Sequence, residues 1–128
     1  MAKIMIVDDD VQAAGLIERV VKMYSHQAKV VNKSSIAMEI ANSFQPDLFI
    51  LDLMMPDVNG FELCALLRAD PKFTNTPVIV VSAMEDKESK AKAYSIGVNE
   101  YLTKPFNIVE LGTKIEALLT NRKSESNG

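Results

Sequence analysis

Residues 48–60 read LFILDLMMPDVNG. Four apolar residues, Leu48 to Leu51, run straight into an acid, Asp52, and a Pro56-Asp57-x-x-Gly60 turn follows. A run that short and that apolar predicts a strand buried on both faces, the kind found in parallel sheets covered by helices. A carboxylate at the end of such a strand is costly unless its charge is used.

The same alternation of short apolar run and longer amphipathic run extends in both directions. Towards the N-terminus, Lys3 to Val7 (KIMIV) is stopped by Asp8-Asp9-Asp10. Val11 to Tyr24 then carries Ala14, Ile17, Val20, Val21 and Tyr24 at helical spacing. Ala28 to Val31 is strand-like, and Ser35 to Phe44 is helical with Ile36, Ile40 and Phe44 on one face. Towards the C-terminus, Phe61 to Ala69 places Leu63, Cys64 and Leu67 together. Val78 to Val81 is the most β-branched run; Asp86 to Ile96 is a polar helix stopped by Gly97. Glu100 to Thr103 is a short fifth strand before Lys104-Pro105. Asn107 with Glu110 resembles a capping box for a last helix whose apolar face is Ile108, Leu111, Ile115, Leu118 and Leu119.

Five strand–helix units in 128 residues predict one α/β domain, a (βα)5 parallel sheet between two helical layers. The domain is placed over residues 1–121, and the polar run from Asn121 predicts a flexible tail over 122–128. A net charge of −3 leaves no broad basic footprint for nucleic acid. No apolar run reaches membrane-spanning length, and the single cysteine, Cys64, has no partner for an internal disulfide. The chain therefore reads as cytoplasmic, with no direct contact to nucleic acid or membrane.

Right-handed crossovers put all strand C-termini on one edge, where ligands of open α/β sheets bind. That edge carries Asp8, Asp9 and Asp10 after the first strand, Asp52 after the third, Ser82-Ala83 after the fourth and Lys104 after the fifth. Two carboxylates about 4 Å apart repel by roughly 4 kcal/mol at an effective dielectric near 20. A cluster of this kind binds protons or recruits a cation, and an all-oxygen donor set favours Mg²⁺. A lysine and a hydroxyl beside the acids suit a phosphoryl group, and an aspartate can itself accept one. Asp10 alone reads as a helix cap; Ser82, Lys104-Pro105 and the Pro56-Asp57 turn are each uninformative singly. Only their joint order along one edge is specific.

Taken together, Asp8-Asp9, Asp52, Met55-Pro56-Asp57-x-x-Gly60, Ser82-Ala83 and Lys104-Pro105-Phe106 resemble the signature of a response regulator receiver domain, over Lys3 to about Leu119. The resemblance implies a flavodoxin-like sheet of order 2-1-3-4-5. It implies Asp52 as phosphoacceptor, and Asp8, Asp9, Asp52 and the Met54 backbone carbonyl as Mg²⁺ ligands. Ser82, Ala83, Lys104 and Tyr101 would form the phosphoryl-binding and switch set, with a cis peptide at Lys104-Pro105. It also implies a sensor histidine kinase or phosphotransfer protein as donor, and a switched face built from the fourth helix, fifth strand and fifth helix. Such a domain is a signalling phosphoacceptor rather than an enzyme, monomeric or dimerising on phosphorylation, with a separate protein target or a fused output domain. Met54 and Met84 stand where many receivers carry a polar residue; they either shield an acyl phosphate from water or simply tile the pocket rim.

Three rival readings fit less well. An aspartate-nucleophile phosphatase of the haloacid dehalogenase class resembles Asp-x-Asp, but Met54 stands where its proton-donating acid would be. A flavodoxin needs a Ser/Thr/Gly-rich phosphate loop where Asp8-Asp9-Asp10 stands. An inert receiver-like interaction module would have lost a pocket residue, and none is missing. Cys64 and the methionines Met5, Met23, Met38 and Met55 are expected in the packing. His26 is expected as an exposed helix-end residue. Lys87, Lys90 and Lys92 are expected on a solvated face of the fourth helix, bordering the output surface.

Overall fold

The computed structural model describes residues 1–127, with side chains described through Asn121. Strands β1 (Lys3–Val7), β2 (Gln27–Val31), β3 (Leu48–Leu51), β4 (Val78–Ser82) and β5 (Glu100–Thr103) alternate with helices α1 (Val11–Met23), α2 (Ala37–Phe44), α3 (Gly60–Ala69), α4 (Lys87–Ile96) and α5 (Ile108–Asn127). All pairings are parallel and the order is β2-β1-β3-β4-β5. The fold is the flavodoxin-like three-layer arrangement.

The sheet separates two apolar clusters. One contains Met5, Val7, Phe49, Leu51, Leu63, Leu67, Phe73, Val78 and Val80; the other contains Ile4, Ile6, Ile17, Val20, Ile50, Ile79, Val81, Leu111 and Ile115. Successive residues of β1, β3 and β4 feed opposite clusters, which is why these strands have no polar face. The edge strand β2 instead alternates in burial along Gln27–Val31. Cys64 is buried on α3.

Several local expectations are corrected. The second helix begins with a 3-10 turn, Ser34–Ile36, and Ile36 is exposed. Ala37 and Ala41 are the residues of α2 that face the sheet, with Ile40 and Phe44 half-buried beside them. Small residues let that short helix lie close, so the larger ones flank the contact. Met23 is exposed rather than packed, because it falls on the solvent side of α1's last turn. Ile108 is likewise exposed, since it lies in the first turn of α5, one turn before its first buried residue, Leu111.

His26 is not an exposed cap. Its Nδ1 accepts from the Ala2 amide at 3.0 Å and its Nε2 meets Glu116 Oε1 at 2.6 Å. The ring therefore ties the N-terminus to α5. Beside it, a Cβ at Gly112 would overlap the Tyr24 ring, so the glycine lets α1 and α5 approach. The α5 backbone is helical to Asn127; side chains over 122–128, where the flexible tail was expected, lie outside the described residues.

Candidate functional site

The sheet ladder continues one residue past three strands, and those residues carry the site. The Asp8 amide donates to Val31 O at 3.1 Å, the Asp52 amide to Val7 O at 3.0 Å, and the Lys104 amide to Ser82 O at 2.8 Å. Backbone position is thus set by the strands, not by loop packing. The Asp8 carbonyl is held by Asn32 Nδ2 at 2.9 Å.

Carboxylate oxygens of Asp8, Asp9 and Asp52 lie within 4.8 Å of one another. Asp8 and Asp52 are 1% and 7% exposed, while Asp9 faces solvent. Asp10 turns away and caps α1, accepting from the Gln12 and Ala13 amides. Lys104 Nζ bridges the two buried acids, at 2.9 Å from Asp8 Oδ2 and 3.4 Å from Asp52 Oδ2. Burial pushes the Asp8 carboxyl up, and the Asp52 charge adds to this; Lys104 and the Asp10 amide offset only part. Burial works against the Lys104 charge, but the hydrogen bond it donates to Asp8 and the Asp52 and Asp8 charges outweigh this and hold the ammonium above its ordinary range. One amine thus pairs with two acids of a three-acid cluster. The remaining deficit of positive charge, in an all-oxygen donor set, fits a hard divalent cation such as Mg²⁺.

The loop after Asp52 is held in part by Ser34, an ordinary polar residue in the sequence. Ser34 Oγ donates to Pro56 O at 2.9 Å and accepts from the Val58 amide at 3.3 Å. A Cβ at Gly60 would clash with the Asp52 carbonyl, so only glycine lets α3 start against the end of β3. Asn59 and Glu62 form a full capping box there. The spacing Asn-x-x-Glu was readable at Asn59, as it was at Asn107, where Asn107 Oδ1 accepts the Glu110 amide at 3.0 Å.

Ser82 is fully buried, and its Oγ accepts from the Met84 amide at 3.2 Å. The Met84 carbonyl in turn accepts from the Tyr101 hydroxyl at 2.6 Å. Burial raises the Tyr101 phenol. Met84 is therefore a node between Ser82 and Tyr101. The Tyr101 ring is half-buried against the core. Ala83 is exposed, and the Lys104–Pro105 peptide is cis. Met54 is 61% exposed; with Leu53, Met55, Pro56, Phe61 and Met84 it lines an apolar groove of about 500 Å³. Of the α4 lysines, Lys90 lies over the Tyr101 ring and Lys92 over the Phe61 ring; Lys87 is solvent-facing.

No described helix is long and apolar enough to cross a membrane. Residues 4–116 match the family model of the response regulator receiver domain. The chain is 34% identical over 119 residues to the DNA-binding dual master transcriptional regulator RpaA of Synechocystis, covering 93% of this chain and 49% of that protein. It is also 34% identical over 119 residues to the response regulator ArlR of Staphylococcus epidermidis, covering 93% of this chain and 53% of that protein. The chain thus spans about half the length of these curated relatives. Among solved structures, a putative response regulator from Chloroflexus aurantiacus superposes with TM-score 0.89 at 28% identity, covering 93% of this chain and 98% of that one. A Francisella response regulator receiver domain superposes with TM-score 0.87 at 31% identity, covering 95% and 99%. With its acid cluster standing at the edge where such a site belongs, this chain belongs to the response regulator receiver domain family.

Proposed function

We propose that Asp52 accepts a phosphoryl group from a phosphohistidine of a sensor histidine kinase or phosphotransfer protein. The clustering of Asp8, Asp9 and Asp52, with Lys104 bridging Asp8 and Asp52, carries this reading. An Asp52 oxygen attacks phosphorus in line, the histidine N–P bond breaks, and an acyl phosphate forms. Asp8, Asp9, Asp52 and the Met54 carbonyl would hold Mg²⁺, which when bound neutralises charge on the transferring group. Lys104 keeps its ammonium beside one phosphoryl oxygen, and Ser82 gives its hydroxyl to another. Because Ser82 Oγ now accepts from Met84, its swing to the phosphoryl group releases that amide and shifts the loop that also holds Tyr101. The readout is a population shift of the α4-β5-α5 face. We place the domain in the cytoplasm, acting on a protein target or a fused output domain.

Mixing with acetyl phosphate and Mg²⁺ tests the reading by intact mass. One added phosphoryl group is expected. Turnover of a phosphomonoester would favour the phosphatase reading instead, and neither result would leave an inert module.

Two variants probe the mechanism. Ser82→Ala should keep phosphoryl incorporation within about threefold yet lose the response of α4 amide exchange to beryllofluoride. An undiminished response would break the coupling between Ser82 and Tyr101. Met54→Asn should shorten the acyl-phosphate lifetime by about three- to tenfold, because an amide can orient water where a thioether cannot. An unchanged decay rate means that Met54 only lines the rim.

A further inference from the structure

Arg68, at the end of α3, is the most heavily hydrogen-bonded side chain on the α4 side of the sheet. Its Nε and Nη2 both donate to Gly97 O, at 3.1 and 2.8 Å. Its Nη1 donates to Phe73 O at 2.9 Å and to Thr76 O at 2.7 Å, and Nη2 donates again to Asn99 Oδ1 at 3.1 Å. All five N–H donors of the guanidinium are thereby used, and none goes to a carboxylate. Asn99 Oδ1 also accepts the Val78 amide at 2.8 Å, and the Asn99 amide donates to Val78 O at 2.9 Å. The end of α3, the end of α4 and the start of β4 are locked through one planar group.

Gly97 is shaped for this contact. It has φ +120°, and a Cβ there would stand 2.8 Å from Arg68 Nε. Glycine lets the backbone adopt that conformation and lets the guanidinium lie against it. The cation also sits at the negative end of the α4 dipole. A fork with five hydrogen bonds to four fixed acceptors cannot follow a carbonyl that moves away.

The other end of α4 is held differently. Within the helix only Ser89 and Ala93 are buried. Lys90 Nζ stands 5.7 Å from the centre of the Tyr101 ring and Lys92 Nζ 4.3 Å from that of Phe61, contacts with little directional demand. Met84, three residues before Lys87, is the node bonded to Ser82 and Tyr101. Any movement of Ser82 therefore reaches α4 at its loosely held end. The helix is about 15 Å long, so a tilt of about 10° displaces its far end by about 2.5 Å.

We propose that Arg68 is the positioning residue that fixes the C-terminal end of α4 as a pivot, so that loading of Asp52 swings the N-terminal half of that helix and leaves residues 94–99 in place. The inference rests on the reading of Asp52 as phosphoacceptor and adds the geometry of the response.

Amide exchange of the full chain with and without beryllofluoride and Mg²⁺, followed by NMR, tests it. Amides of residues 84–90 should change by about tenfold and those of 96–99 by less than about twofold. In Arg68→Met the change should spread through 94–99. Arg68→Lys should resemble Arg68→Met, because an ammonium keeps the charge but not the fork. A purely structural Arg68 would raise exchange by the same factor in both forms and leave their ratio along α4 as in the parent protein; that result, or full restoration by lysine, overturns the pivot. If Arg68→Met does not fold, the parent protein still decides, since a uniform response along 84–99 overturns the proposal. Shifts at the Asp52 and Met54 amides report loading separately. Their absence would overturn the phosphoacceptor reading and the pivot with it.

Discussion

Asp52→Asn should reduce phosphoryl incorporation from acetyl phosphate to below about 1% of the parent level. The substitution is isosteric and leaves an oxygen to accept from Lys104, so the fold should survive. What disappears is the carboxylate proposed as nucleophile, for which no neighbour is placed to substitute. Asp9 faces solvent, and Asp8 is engaged by Lys104 and the Asp10 amide. Removing one of two crowded charges also relieves repulsion with Asp8, so the variant should unfold no more easily than the parent. Asp57, exposed in the turn after β3, is the control, and Asp57→Asn should incorporate normally. Intact mass together with thermal unfolding checks both statements. Incorporation at the parent level in a folded Asp52→Asn protein would mean another residue is the acceptor.

Lys104→Met should be the most destabilising change at the site in the absence of Mg²⁺, by about 2–3 kcal/mol. Among the described residues the ammonium is the single cation contacting both buried acids, and deleting it leaves Asp8 and Asp52 facing each other uncompensated. The loss should fall below that of a fully buried pair because the lysine side chain is 21% exposed and water reaches it. Lys104 also occupies Asp8 Oδ2, an oxygen a cation would use. Its removal should therefore tighten Mg²⁺ binding, and saturating Mg²⁺ should restore most of the lost stability through linkage. Urea unfolding with Mg²⁺ and with EDTA measures both effects. Equal stability of variant and parent in EDTA would show that the acids do not depend on the lysine.

Much of this architecture was legible because it rests on short-range pattern. β1, β3 and β4 are apolar on both faces since each feeds two clusters, and the acids that stop β1 and β3 mark the edge where the strands end. The order β2-β1-β3-β4-β5 came through family resemblance, since periodicity does not say which strands neighbour one another. What escaped notice is long-range and joins a side chain to backbone. Ser34 reaches the turn at Pro56, Asn32 reaches Asp8, and Arg68 reaches Gly97. Each looks like an ordinary polar residue until the fold brings its partner near. His26 is equally long-range in its contacts, its partners being the Ala2 amide and the Glu116 carboxylate, far from it in sequence. On α2 the large apolar residues suggest a core stripe, whereas close approach to the sheet selects Ala37 and Ala41.

The most direct test of the account is a calorimetric titration of the unphosphorylated protein with Mg²⁺ beside the Asp8→Asn and Asp9→Asn variants. The crowded carboxylates should take up one ion per chain, and either substitution should weaken uptake by about tenfold or more. No uptake by the folded parent, or undiminished uptake in Asp8→Asn, would contradict it.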